Sequence, residues 1–221
     1  MMKRTIHVFL FLFLLITLHA QGQNPPFWKD VQFFKSQDSA HFPGKNKILF
    51  VGSSSFTKWT DVQDYFPGYP IINRGFGGST LADQVRYVKD IVYPYQPKQI
   101  VVYCGENDLA SSDTVTANTV YNRFVSWFTL VRKKFPRLPI AYISMKPSPS
   151  RVHLMAKMVE GNGMIEKFLG KQKRTAFINV YNEMLDATGK PRAELFLQDN
   201  LHMNKNGYAI WKKMIEPYLV K

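Results

Sequence analysis

Apolar residues gather in five short runs along this chain, and between the runs they thin out to every third or fourth position. The runs are Ile48-Leu49-Phe50-Val51, Ile71-Ile72, Ile100-Val101-Val102-Tyr103, Ile140 to Ile143 and Ala176 to Val180. Apolar stretches this short and this continuous read as strands buried on both faces. The spaced stretches, Leu81 to Val92, Val115 to Phe135, His153 to Phe168 and Asn206 to Leu219, read as amphipathic helices. Strand and helix alternating in this way predict an α/β fold: a five-stranded parallel sheet with helices on both faces, a three-layer α/β/α sandwich. Residues 23–46, punctuated by Pro25, Pro26, Pro43 and Gly44, read as an irregular arm leading into the first strand. No repeat, low-complexity tract or linker divides the chain beyond it, so residues 23–221 are expected to form a single domain.

Polar and glycine-rich segments stand immediately after three of the strands: Gly52-Ser53-Ser54-Ser55, Asn73-Arg74-Gly75-Phe76-Gly77-Gly78 and Gly105-Glu106-Asn107-Asp108. A fourth, Asp199-Asn200-Leu201-His202, precedes the last helix. Open parallel sheets bind ligands beyond the carboxyl ends of their strands, where the strand order reverses. With the order 2-1-3-4-5, the loops after strands one, two and three are neighbours, and those loops carry three of the four segments.

Each segment supplies one kind of chemistry. Gly52 lets the chain turn sharply out of the first strand, exposing serines at the start of a helix whose N–H groups favour negative charge. Serine is also a common helix cap, and composition does not choose among Ser53, Ser54 and Ser55. Of the histidines outside the first twenty residues, His41 lies in the arm and His153 on a helix. Only His202 has a carboxylate, Asp199, one turn before it, where it can fix the tautomer and stabilise an imidazolium. Gly77 and Gly78 let backbone N–H groups approach a substrate closely, and Asn107 adds a side-chain amide donor. A phosphate-cradling loop is the alternative for Gly75 to Gly78, but such a loop follows the first strand, whereas these glycines follow the second. A hydroxyl, an Asp-x-x-His pair and donors for an anion are together the parts of a serine hydrolase.

In order and spacing the four segments resemble the blocks of the SGNH hydrolases, also called the GDSL esterase/lipase family, from Lys47 to the last helix. The resemblance implies a flavodoxin-like fold with five parallel strands. It also implies Ser54 as nucleophile, His202 as base and Asp199 as its partner. The oxyanion hole would be the N–H groups of Ser54 and Gly78 with the Asn107 amide. Ser53 stands where the family often has Asp, and Glu106 occupies a variable position. Arg74, Phe76 and Trp59, in or near these loops, are candidates to shape a substrate pocket, with packing as the alternative. Cys104 reads as a buried strand cysteine. Lys146 and the stretch Pro147 to Pro149 follow strand four at the same edge. No cluster has metal-ligand spacing, and no cofactor or metal is expected.

The beginning of the chain changes where this chemistry is expected to happen. Lys3 and Arg4 precede an uncharged run, Val8 to Leu18, and small residues at Ala20-Gln21-Gly22. That is the pattern of a secretory signal peptide over residues 1–22. The run would span only about 16 Å as a helix, against roughly 30 Å of bilayer hydrocarbon, so no stable membrane insertion is expected after cleavage. The localisation expected is exported, periplasmic or extracellular. Cys104 is the single cysteine, which excludes an intrachain disulfide. The formal net charge is +13, or +11 once Lys3 and Arg4 are gone. Without zinc-finger spacing, a basic aromatic helix or a basic tail, this charge does not read as nucleic-acid binding. The expected function is an exported serine esterase removing short acyl groups, such as acetyl, from a saccharide or other small-molecule ester. The alternatives are a lysophospholipase, lipase or thioesterase of the same family and, from another class, a non-catalytic saccharide-binding module.

Overall fold

The computed structural model describes residues 24–221, and the expected signal peptide lies outside them. The five strands are β1 (Ile48–Gly52), β2 (Ile71–Gly75), β3 (Gln99–Tyr103), β4 (Ile140–Ile143) and β5 (Thr175–Ile178). All neighbouring pairs are parallel, in the order β2-β1-β3-β4-β5. Alternate side chains of the strands enter two separate cores, as a two-residue strand period requires. Leu49, Val51, Ile100, Val102 and Tyr142 pack on one side; Ile48, Phe50, Val101, Tyr103 and Ile143 pack on the other. This double burial is why the central strands β1, β3 and β4 read as nearly unbroken apolar runs, while the edge strands β2 and β5 are only partly buried.

The first core is covered chiefly by α4 (Leu81–Arg86), α5 (Val88–Ile91), α7 (Ala117–Lys134) and α8 (Met155–Leu169). The second is covered by the short α2 (Ser54–Thr57) and α3 (Val62–Tyr65) and by α9 (Lys205–Ile215). A further short helix, α6 (Glu106–Ala110), follows β3. Helix α7 shows why these segments are helical. Thr116 and Thr119 form a reciprocal capping box at its start, and Val120, Phe124, Trp127, Phe128 and Val131 make its buried stripe.

Two expectations need correction. The stretch 81–92 is two helices, because Tyr87 breaks the helical path: it buries its ring while its hydroxyl donates to the Pro26 carbonyl at 2.6 Å. Residues 23–46 are not an irregular arm, for they contain the 13-residue helix α1 (Trp28–Ala40). The prolines there mark its boundaries, Pro25 and Pro26 before it and Pro43 after it. Its apolar stripe is thin: Val31 is its one buried residue, with Trp28 and Phe34 partly buried against the first core, and Phe33 is 60% exposed. Tertiary ion pairs add to this packing, notably Asp38 to Arg74 and, nearer the surface, Lys35 to Asp90.

Candidate active site

At position 52 the backbone has φ 147°, and a Cβ there would sit 1.9 Å from the Tyr103 carbonyl oxygen, so only glycine fits. The chain turns at this glycine from β1 into α2. Ser53 takes the N-cap position in extended conformation but makes no side-chain cap. Ser53 and Ser55 are buried, whereas Ser54 between them is partly exposed. Ser54 is thus the most accessible of the three serines.

The second and third loops lock onto the first. Ser79 Oγ donates to the Gly52 carbonyl at 3.2 Å, and Gln84 Nε2 reaches both Gly52 O and Ser79 Oγ. Asn107 Nδ2 donates to the Ser79 carbonyl at 3.1 Å, and Asp108 accepts from the Leu81 N–H at 2.8 Å. Among the described residues neither the Ser54 nor the Gly78 N–H has a backbone acceptor outside regular structure. Gly78 has φ 83°, a left-handed conformation that turns this loop without a side chain. Asn107 Nδ2 keeps its second hydrogen. These three donors are uncommitted at one edge of the sheet.

The fourth segment is a tight turn with Asn200 at φ 56°. Asp199 Oδ1 accepts from the N–H groups of Leu201 and His202, both at 2.9 Å, and its Oδ2 lies 2.6 Å from His202 Nδ1. A carboxylate only accepts, so Nδ1 carries a proton, and in the neutral imidazole that tautomer leaves the lone pair on Nε2. Burial alone would raise the Asp199 carboxyl, but the bonds from His202 and the two backbone N–H groups outweigh it and hold the pKa down at about 2. The turn is tied to the other loops: Ser150 N–H donates to the Asn200 carbonyl at 3.1 Å, and Tyr208 of α9 donates to the Ser55 carbonyl at 2.8 Å. His153 and His41 are exposed and stand in no such pairing.

The three pocket candidates are packing residues. Trp59 is fully buried and stacks on Tyr208 with centroids 4.7 Å apart. Phe76 is buried between Phe27 and Tyr87. Arg74 spends its guanidinium on Asp38 at 2.5 Å, Tyr95 at 2.6 Å and its neighbouring carbonyl. Large aromatic rings close to a loop in sequence were drawn into the core by the area they bury. Cys104 is buried, and burial pushes its thiol well up.

Sequence reasoning missed a buried charge cluster beside Asn107. Glu106 accepts from Lys146, Arg151 and the Tyr103 hydroxyl. Burial would raise the Glu106 carboxyl, but the two cations outweigh it and lower the pKa; burial lowers that of Lys146, with Glu106 opposing. The available signal was two charged residues, Glu106 and Lys146, each three positions beyond a buried strand.

The sequence profile of the GDSL-like lipase/acylhydrolase family matches residues 48–210. The chain belongs to that family. It is thus an ester hydrolase with the α/β fold of its relatives. A GDSL-like lipase from Bacteroides thetaiotaomicron superposes with a TM-score of 0.73 over 85% of this chain and 95% of its own, at 20% identity. A catalytic mutant of an acetylxylan esterase from Geobacillus stearothermophilus superposes with a TM-score of 0.62 over 79% of this chain and 94% of its own, at 12% identity. At those identities the likeness is one of fold. Curated proteins offer no sequence match.

Proposed function

We propose that this acylhydrolase is an exported serine esterase with Ser54 as nucleophile, His202 as general base and Asp199 as its orienting partner. His202 Nε2 takes the proton as Ser54 Oγ bonds to the ester carbonyl carbon. The carbonyl π electrons move onto oxygen, which is received by the Ser54 and Gly78 N–H groups and Asn107 Nδ2. Collapse of this intermediate breaks the bond to the alcohol, which leaves with the proton from His202. Water then attacks the acyl-enzyme by the same route and regenerates Ser54. The observation that carries the reading is the pairing of His202 Nδ1 with Asp199 at 2.6 Å, in a chain where Ser54 is the most accessible member of its serine run.

For substrate we favour a short acyl group, acetyl above all, on a saccharide. Gln198, Asp199 and Asn200 form an exposed polar rim beside His202, which suits a hydroxylated leaving group. The acetylxylan esterase of the same fold acts on such an ester. A longer acyl chain, as in a lysophospholipid, lipid or thioester, is the second reading. It is favoured by Leu197 and Val152, exposed at 46% and 50% on the two segments that the Ser150–Asn200 bond joins.

Purified protein assayed on p-nitrophenyl esters of increasing chain length, then on acetylated oligosaccharides, separates the two: activity should peak at acetyl, and a peak at long chains would exclude the favoured substrate. In the same assay Ser54→Ala should lose nearly all turnover and fluorophosphonate labelling, with Ser53→Ala and Ser55→Ala retaining both. A fully active, folded Ser54→Ala would show the nucleophile to be elsewhere.

A further inference from the structure

We propose that Arg151 is a positioning residue for ester hydrolysis: it holds the Asn107 amide with its donor end available to the oxyanion, and buried Glu106 and Lys146 hold Arg151 in turn. This rests on Asn107 serving in the oxyanion hole. Neither Glu106 nor Lys146 has a part in the serine–histidine–aspartate chemistry, yet they are 3% and 1% exposed. Taking such charges out of water is costly, and an apolar pair of similar volume would fill the space with less expense.

One arm of the cluster leads to Asn107. Lys146 Nζ lies 3.3 and 3.2 Å from Glu106 Oε1 and Oε2, and the Tyr103 hydroxyl donates to Oε2. Arg151 Nη1 donates to Glu106 Oε1 at 2.8 Å, while Nη2 donates to Asn107 Oδ1 at 2.9 Å. Because a guanidinium is a rigid planar fork, anchoring one prong on Glu106 sets the direction of the other. The two ends of a carboxamide have nearly the same shape, so partners of opposite polarity decide its orientation. Here Oδ1 faces a cation and Nδ2 faces the Ser79 carbonyl. A flipped amide would set N–H against N–H and oxygen against oxygen.

The same array reaches the His202 loop. Lys146 Nζ stands 5.6 Å from the centre of the Phe196 ring, and Phe196 bridges to Met203, next to His202. Ser150, beside Arg151, bonds to Asn200 at 3.1 Å. The Arg151 guanidinium brings a positive charge into contact with Asn107. Its sign favours an oxyanion there, and donors fixed beforehand are what such stabilisation requires.

The test is a cycle of variants in the full domain, assayed on p-nitrophenyl acetate with folding checked by circular dichroism and thermal melting. Asn107→Ala should lower kcat by roughly 10²–10³. Arg151→Met should lower kcat by about tenfold or more with KM within about twofold, the pattern of a lost transition-state contact. Arg151→Lys keeps a cation for Glu106 without the fork and should fall between. Added to Asn107→Ala, either Arg151 change should cost less than about a further twofold, because its effect passes through the amide. Double variants as slow as the product of the single effects would overturn the proposal, as would Arg151 variants with normal kcat or with only KM raised. If Arg151→Met fails to fold, the Arg151→Lys arm of the cycle decides in its place by the same criteria. An impaired Asn107→Ala beside unimpaired Arg151 variants sinks the proposal alone, whereas a fully active Asn107→Ala sinks the oxyanion hole and the proposal together.

Discussion

Asp199 shows how one side chain is given its role by three bonds. Two backbone N–H groups and the His202 ring all donate to it, and together they hold its carboxyl at about 2 against the opposing effect of burial. Unfolded, an aspartate titrates near 3.9. Since the folded value is the lower one, the stability Asp199 contributes is fully present above about pH 4 and is lost as pH falls through about 2. The side chain is 47% exposed, so solvent screening keeps that contribution small. Unfolding midpoints of the native protein and Asp199→Asn, measured across pH 2–5, should therefore converge toward the acid end. At neutral pH the variant should be slower in kcat, though less impaired than Ser54→Ala, because Asp199 orients the imidazole without exchanging the proton. Parallel stability curves would remove the depressed carboxyl, and equal kcat would remove Asp199 from the mechanism.

Among the elements, α1 joins the domain through side chains that the strand pattern does not reveal. Asp38 near its end meets Arg74 of β2, whose guanidinium also lies 5.1 Å from the Tyr95 ring. The pair is mostly buried, with side-chain exposures of 11% for Arg74 and 15% for Asp38. Removing the carboxylate leaves the guanidinium short of a partner, at a cost of about 1–3 kcal/mol. In a domain of this size each kcal/mol lowers Tm by roughly 2–4 °C. Asp38→Ala should thus melt earlier while keeping native kcat and KM on p-nitrophenyl acetate, since Arg74 is a packing residue. A changed KM with unchanged Tm would return Arg74 to the substrate pocket.

For the whole molecule, the expectation is export, motivated by Lys3, Arg4 and the uncharged run Val8 to Leu18. Protein recovered outside the cytoplasm should begin at Gln21 or Gln23 by intact mass. A mature chain retaining Met1 would overturn it. No described helix is long and apolar enough to cross a membrane.

The sheet was legible in the sequence because its central strands β1, β3 and β4 are buried on both faces, and that leaves runs such as Ile100 to Tyr103 nothing but apolar residues. The four polar segments were legible because catalysis at a strand end demands particular residue types in short spacings, and Asp199 with His202 is such a local unit. Local pattern could not choose among three adjacent serines; in the folded turn after Gly52, Ser53 and Ser55 are buried and Ser54 is partly exposed, which supports the proposal of Ser54. Nor could it show that Trp59 and Phe76 belong to the core, that α1 is a helix, or that Glu106 and Lys146 meet across 40 positions of chain. Those outcomes depend on which surfaces face each other after folding. Burial and charge pairing between distant residues are properties of the packed molecule, and only the tertiary structure decided them.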